Sequence, residues 1–178
     1  VTMRYLVNQT ARWSNSKRLC KFFVNTKYEL FYDLAYELAE FAYSLDEVPV
    51  GAVIIKDNTY EVVSSSYNQM KSNKSSLDHA EILALRLAIS RLGNERLNGC
   101  SMISTLEPCP MCSQAISFAR LSNLIFSAED PKSGGVIHGP KIFESSSCHH
   151  KPNVIRLNDN DKSKNLLQKF FKSKRKKG

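Results

Sequence analysis

The sequence predicts an α/β sandwich in which helices alternate with about five strands. Apolar residues recur at helical spacing in segments near both ends of the chain, and five short runs between and beside them have strand length. Proline, glycine and clustered polar residues separate these segments. With 178 residues, 42% of them hydrophobic, the chain suffices for one domain with an ordinary core. No apolar run approaches the roughly 20 residues that a membrane-spanning helix needs.

The first half of the chain predicts two helices around a hairpin. From Tyr28 to about Leu45, apolar residues recur every three or four positions opposite acidic ones, which indicates an amphipathic helix. Val50–Ile55 is predicted as a buried strand and Glu61–Ser65 as its hairpin partner. After a polar loop at 68–77, the helical segment 78–92 is apolar nearly all round, which predicts burial against a sheet.

The second half predicts three strands and two helices. Ser101–Leu106, Asn123–Ser127 and Val154–Leu157 have strand character. Pro108 and Pro110 mark the start of a helix that runs to about 120, since proline is tolerated in a first turn. Residues 132–152 read as a long loop with one helical turn at most. Ser163 is expected to cap a last amphipathic helix that ends in lysines.

The net charge of +8 is concentrated at the two ends of the chain. Residues 1–27 carry six basic residues, residues 162–178 carry eight, and neither segment has an acid. The 134 residues between them hold 11 bases and all 17 acids. Basic ends attract polyanions, chiefly nucleic acid, through counterion release, although a run of lysines also serves as a solubilising tail. We therefore divide the chain into a basic, disordered N-terminal extension at 1–27 and one domain at 28–178.

The cysteine pattern indicates a reducing, cytoplasmic compartment. Five cysteines are an odd number, and Cys20, Cys100 and Cys148 show no paired spacing. A disulfide framework is not expected from such a pattern. Residues 1–27 have no apolar segment typical of a secretory signal.

Two short motifs carry candidate chemistry. Cys109 and Cys112 are three positions apart at a predicted helix start, so both sulfurs can reach one metal ion. The same spacing also suits a thioredoxin-like redox site. His79 and Glu81 form a His-x-Glu motif at the start of another helix, and Glu81 is followed by an apolar run that makes a carboxylate there costly.

Together the motifs are far more specific. His-x-Glu, a gap of 26 residues and Pro-Cys-x-x-Cys form the signature of zinc deaminases. One histidine and two cysteines leave a fourth zinc position for water, and a carboxylate that is not a ligand can move the proton. A structural zinc module remains an alternative, because Cys100, Cys148, His149 or His150 could supply a fourth protein ligand.

Further stretches resemble the bacterial tRNA-specific adenosine deaminases, the TadA family within the cytidine deaminase-like superfamily. The resemblance spans about residues 28–176. It rests on Glu-Val-Pro-Val-Gly-Ala-Val at 47–53, Asn68, Asp-His-Ala-Glu-Ile at 78–82, Thr-Leu-Glu-Pro-Cys-Pro-Met-Cys at 105–112, Asp-Pro-Lys-Ser-Gly at 130–134 and the Phe170-Phe171 basic helix. Pro-Val-Gly-Ala at 49–52 and the metal motifs at 78–82 and 105–112 are shared with cytosine and guanine deaminases; the Asp130 stretch and the basic helix indicate tRNA.

The resemblance implies a three-layer α/β/α sandwich with a central mixed sheet of about five strands. It also implies conversion of adenosine to inosine at wobble position 34 of a tRNA anticodon, with one zinc per subunit and a homodimeric enzyme. Deamination of a free nucleobase or nucleoside is the alternative. The implied residues are zinc ligands His79, Cys109 and Cys112; the proton carrier Glu81; substrate contacts Asn68, Asp130, Ala80 and Val50; supports of the metal site Glu107 and Pro108; and RNA-backbone contacts Lys169, Lys172, Lys174 and Arg175.

The sequence departs from the family pattern in three places. The run Gly-Gly-Val-Ile-His-Gly at 134–139 replaces a run of small residues. Residues 149–154 match a His-Pro-x-x-Asn-His segment only in part. Residues 1–27 have no counterpart in that pattern.

Overall fold

A computed structural model describes the backbone of residues 17–175 and the side chains from Lys27 onward. These described residues contain four helices and five strands. In order they are α1 (Lys17–Ser44), β1 (Gly51–Lys56), β2 (Val62–Tyr67), α2 (Ala80–Leu92), β3 (Cys100–Leu106), α3 (Pro110–Phe118), β4 (Asn123–Ala128), β5 (Asn153–Arg156) and α4 (Lys162–Arg175). One 3-10 turn, Ile142–Glu144, lies in the long loop before β5.

The strands form one mixed sheet in the order β2-β1-β3-β4-β5. β1 pairs antiparallel with β2 and β3, whereas β3, β4 and β5 run parallel. Successive side chains point to opposite faces, so Ile54 and Phe126 pack with α2 and α3 while Val53 and Ile125 pack with α1. The sheet therefore lies between two helical layers, which confirms the predicted three-layer sandwich.

The strand directions gather the loops of interest at one edge of the sheet. Parallel strands end at the same edge, so the loops after β3, β4 and β5 lie together. Because β1 runs antiparallel to β3, the start of β1 and the end of β2 lie at that edge too. Most of the chemistry-bearing residues chosen from the sequence lie in or beside these loops.

Two local expectations differ from the structure. The helix expected from Tyr28 begins eleven residues earlier, at Lys17. No proline or glycine lies between these positions, so nothing in the backbone ends the helix there. Residues 1–16 of the proposed extension lie outside the described residues, and the boundary at residue 27 stays a prediction.

The cap of α4 also differs. Ser163 lies inside the helix, and its backbone N–H donates to Asp159 Oδ2 at 2.8 Å. Asp159 thus satisfies a free N–H of the first turn, which a carboxylate does well at a helix N-terminus. Within the described part of the chain, no helix is both long and apolar enough to cross a bilayer.

Candidate active site

The three predicted metal ligands meet where two helices begin. His79 directly precedes α2, Cys109 directly precedes α3, and Cys112 lies in the first turn of α3. The His79 Nδ1 atom lies 3.6 Å from the Cys109 sulfur and 3.5 Å from the Cys112 sulfur. All three candidate ligand atoms lie within 4.8 Å of one another. Both helix dipoles present their positive ends here, which favours thiolate.

This donor set fits zinc. Bond lengths of about 2.3 Å to sulfur and about 2.05 Å to nitrogen, at a tetrahedral angle, require a nitrogen–sulfur separation of about 3.6 Å. The two observed separations of 3.5 and 3.6 Å match that value. The hydrogen bond from Cys112, together with His79, holds the pKa of Cys109 at about 4. These contacts favour the thiolate form of Cys109, which is the form that binds a metal.

Glu81 lies beside this cluster without belonging to it. Its side chain is buried at 4% exposure and lines the cleft that opens onto the cluster. Burial raises the pKa of Glu81 to about 7. A cation held by the neighbouring ligands would lower that pKa. A carboxylate that titrates in this range can both accept and release a proton.

The cleft in front of the cluster is open to solvent and measures about 1440 Å³. It runs from His79 and Glu81 along the strand ends to the face of α4. A purine base and its sugar would fill only part of such a volume. Substrate that occupies the whole cleft must therefore be larger than a nucleoside.

Asn68 is held in a fixed orientation inside the cleft. It is 3% exposed, and its Nδ2 donates to Glu47 Oε2 at 3.2 Å. The Glu47 carboxylate is fully buried and also accepts from the backbone N–H groups of Lys71 and Ser72. These contacts lower the pKa of Glu47 against the effect of burial. Asn68 is also one of the residues that line the cleft. The orienting role of Glu47 was not predicted, although it opens a motif that the sequence analysis singled out.

Glu107 organises the loop after β4. Its buried carboxylate accepts backbone hydrogen bonds from Asp130 and from the run 136–138, and a side-chain bond from His138 Nδ1 at 2.7 Å. These bonds, His138 first among them, lower the pKa of Glu107 although burial raises it. The expected support of the metal site thus takes the form of a loop anchor. Pro108 contributes through its carbonyl, which accepts the Gly135 N–H at 2.9 Å.

Two glycines make this close approach possible. A Cβ on Gly134 would lie 2.5 Å from Glu107 Cδ, and one on Gly135 would lie 2.6 Å from the Pro110 nitrogen. The atypical run 134–139 therefore keeps glycine at the two positions where the loop approaches Glu107 and the start of α3. His138 is the new element of this run, and it ties the loop to Glu107.

Comparison with known proteins identifies the fold and the site together. Residues 25–128 match the family model of the cytidine and deoxycytidylate deaminase zinc-binding region. The chain belongs to this family. The match contains the whole His79, Glu81, Cys109 and Cys112 constellation, so the protein is a zinc-dependent deaminase, and His79, Cys109 and Cys112 would hold the metal.

The deaminase is also similar to individual relatives. It is 42% identical over 145 residues to a tRNA-specific adenosine deaminase of Agrobacterium fabrum, covering 82% of this chain and 94% of that protein. A solved structure from work on A-to-I editing by tRNA:A34 deaminases superposes with a TM-score of 0.75 at 41% identity, covering 78% of this chain and 99% of that one. A guanine deaminase from Bacillus subtilis reaches a TM-score of 0.53 at 34% identity, covering 57% and 64%.

The described residues of the deaminase do not support the two alternative uses of the cysteines. Cys148 bonds to Ser117 and to the His150 carbonyl, and His150 Nε2 bonds to the Leu121 carbonyl at 2.6 Å. Within the described chain, the metal-binding group consists of three residues only, so a fourth protein ligand is not at hand. Cys109 and Cys112 are free thiols placed against a histidine, as a metal site requires and a redox pair does not.

The remaining predicted substrate residues differ in their placement. Val50 and Asp130 line the cleft, whereas Ala80 is fully buried and does not. One carboxylate oxygen of Asp130, Oδ1, accepts the backbone N–H groups of Lys132 and Ser133 at 3.1 Å. Asp130 thus stabilises its own turn while the turn faces the cleft.

Helix α4 presents only part of its charge to the cleft. Of the four predicted RNA contacts, Lys174 and Arg175 line the cleft, whereas Lys169 and Lys172 do not. The Lys174 ammonium is also paired with the Asp46 carboxylate. The Lys169 ammonium instead lies 5.4 Å from the ring of Tyr43 on α1. Sequence reasoning missed further polar residues of the cleft lining, among them Lys132, Arg156, Lys164 and Gln168. The helical spacing that joins Lys164 and Gln168 to Phe171 and Arg175 was the available signal for the two missed residues on α4, Lys164 and Gln168.

Proposed function

We propose that this protein converts adenosine to inosine at the wobble position of a tRNA anticodon. The observation that carries the proposal is the cleft, which extends from the metal cluster to the basic face of α4 and exceeds the needs of a free base. The similarity to tRNA-specific adenosine deaminases over most of both chains supports the same substrate. Deamination of a free nucleobase or nucleoside leaves the basic end of the cleft without a use.

The chemistry divides between the metal and Glu81. Zinc, when bound, supplies the Lewis acidity that makes water a nucleophile at neutral pH. The Glu81 carboxylate accepts a proton from the attacking water and passes it to the amino group that leaves as ammonia. Because Glu81 is buried, bulk water does not compete for that proton.

Residues that line the cleft recognise the base and the sugar. The target base must leave the anticodon stack to reach the cluster. The Asn68 carbonyl oxygen, oriented by Glu47, accepts a hydrogen bond from the base edge, and Asp130 contacts sugar hydroxyls. Val50 provides an apolar wall beside them. A contact from Ala80 stays a prediction.

The decisive experiment is an inosine assay on the purified full chain. The substrates are anticodon stem-loops with adenosine at position 34, the same stem-loops with adenosine moved by one position, and free adenosine, guanine and cytosine. We expect inosine only in the first. Release of ammonia from guanine or cytosine, with none from the stem-loops, would replace the proposal by the free-base alternative.

Basic residues on α4 bind the RNA backbone. They fall into two pairs, one that lines the cleft and one that does not. Replacing Lys174 and Arg175 by glutamine is expected to weaken stem-loop binding and to reduce the slope of log affinity against log salt by about one per lost phosphate contact. The matched control replaces Lys169 and Lys172 by glutamine, which removes the same charge outside the cleft lining. Equal losses from both pairs would assign the effect to net charge rather than to position.

We further propose that the enzyme is a homodimer that works in the cytoplasm, as the sequence analysis expected. Large apolar side chains stay exposed on α2 and α3, where Leu87 is 50% exposed and Phe118 is 71% exposed. Exposed apolar surface of this kind is typical of an interface. Light scattering is expected to give twice the chain mass of 20.2 kDa. A single-chain mass at micromolar concentration would contradict it.

A further inference from the structure

Four polar groups from four parts of the chain meet beside the cleft, outside the catalytic constellation. Tyr32 on α1, Ser127 on β4 and Ser163 on α4 are each at most 4% exposed, and Asp159 lies in the loop between β5 and α4. The Tyr32 hydroxyl contacts Ser163 Oγ at 2.6 Å and donates to the Asp159 carboxylate. Ser127 Oγ lies 3.2 Å from Ser163 Oγ.

The protons of this cluster can be assigned from donor and acceptor capacity. Asp159 only accepts, so the single Tyr32 proton goes to it. Ser127 gives its proton to the Thr105 carbonyl at 2.8 Å, which leaves the Ser163 hydroxyl to donate to the Tyr32 oxygen. The Ser163 N–H completes a closed ring by donating to Asp159. Each donor in the ring has one acceptor, and hydrogen bonds in such a ring strengthen one another.

This ring is one of two buried attachments of α4. Ser163 and Phe170 are the only two of its residues that are buried in the described helix, and Phe170 packs against the ring of Tyr43. Leu167 is partly buried against the core, and most other residues of the helix line the cleft or are exposed. The position of Lys164, Phe171 and Arg175 in the cleft wall therefore depends on how firmly the first turn is held.

We propose that Tyr32 is a positioning residue for RNA recognition, because its hydroxyl locks Asp159 and the first turn of α4 and so sets where the cleft-facing side chains of α4 lie. The inference rests on the proposed function for its substrate. Tyr32 acts from the opposite side of the helix and touches neither the base nor the metal ligands. Its effect is expected on binding of the stem-loop rather than on the chemical step.

The test compares Tyr32→Phe with Tyr36→Phe in the full chain. Tyr36 lies one turn further along α1, and its aromatic ring lies beside the Lys162 ammonium. Phenylalanine keeps that aromatic ring, so the control variant loses only a hydroxyl that takes no part in the hydrogen-bonded cluster of Tyr32. We expect Tyr32→Phe to raise KM for the anticodon stem-loop about tenfold, with kcat within about twofold of wild type. Zinc content and the thermal midpoint of Tyr36→Phe should equal those of wild type. Equal KM values for the two variants, or a loss confined to kcat, would overturn the proposal.

Hydrogen exchange separates this inference from the proposed function. In Tyr32→Phe the amides of α4 are expected to exchange faster than in Tyr36→Phe, while those of α2 keep their rates. Exchange of the α4 amides tests the role of Tyr32 even if wild-type protein makes no inosine. That second outcome would contradict the proposed function but not the role of Tyr32. Where Tyr32→Phe does not fold, Ser163→Ala removes a smaller member of the same ring and is expected to act in the same direction. Unchanged α4 exchange in both variants would overturn the lock.

Discussion

Glu81→Gln is expected to retain zinc and to lose turnover by roughly 10²–10⁴-fold, the range that positioned acid–base groups contribute. Glutamine keeps the shape of the buried side chain but can neither take the proton of the attacking water nor return it to the leaving amino group. The metal is expected to stay because its proposed ligands, His79, Cys109 and Cys112, are unchanged. Zinc content by mass spectrometry and inosine formation at saturating stem-loop measure the two effects.

Glu95→Gln is the matched control, since the same change is made on a side chain that is 85% exposed in the loop after α2. It is expected to retain both zinc and full turnover. A Glu81→Gln protein that keeps more than a tenth of wild-type turnover would show that another group carries the proton.

Cys112→Ala is expected to abolish both metal binding and activity. Removing one of three protein ligands leaves His79 and Cys109, too few to hold zinc against a chelator. Zinc should fall from about one per chain to less than about one tenth. Because a ligand that binds only the folded state stabilises it, a chelator should lower the melting temperature of wild type but not that of the variant.

Cys148→Ala provides the control for a buried thiol. Cys148 is 6% exposed and lies against Ser117, away from the metal cluster. Its removal is expected to leave zinc content and inosine formation unchanged and to cost only packing. Full zinc occupancy in Cys112→Ala would contradict the assignment of that sulfur as a ligand.

Sequence reasoning alone identified the elements and the chemical groups. Periodicities of two and of about 3.6 residues are local properties, so the strands and helices were predicted close to their observed bounds, except for the start of α1, which lies eleven residues earlier. The spacing of Cys109 and Cys112 placed both sulfurs on one helical turn without knowledge of the fold. The pairing with His79, 30 residues earlier, came from a recognised signature rather than from any local rule.

Only the tertiary structure decided how these groups face one another. The strand order β2-β1-β3-β4-β5 brings His79 to the cysteines, and no local pattern encodes that order. Packing also turned Glu107 toward the loop after β4, directed Lys174 and Arg175 rather than Lys169 and Lys172 into the cleft, and joined Tyr32 to Asp159. The physical reason is that the hydrophobic periodicity of a helix or strand determines which of its faces is apolar. The partner of each polar group depends instead on how elements that are distant in the sequence are oriented and packed.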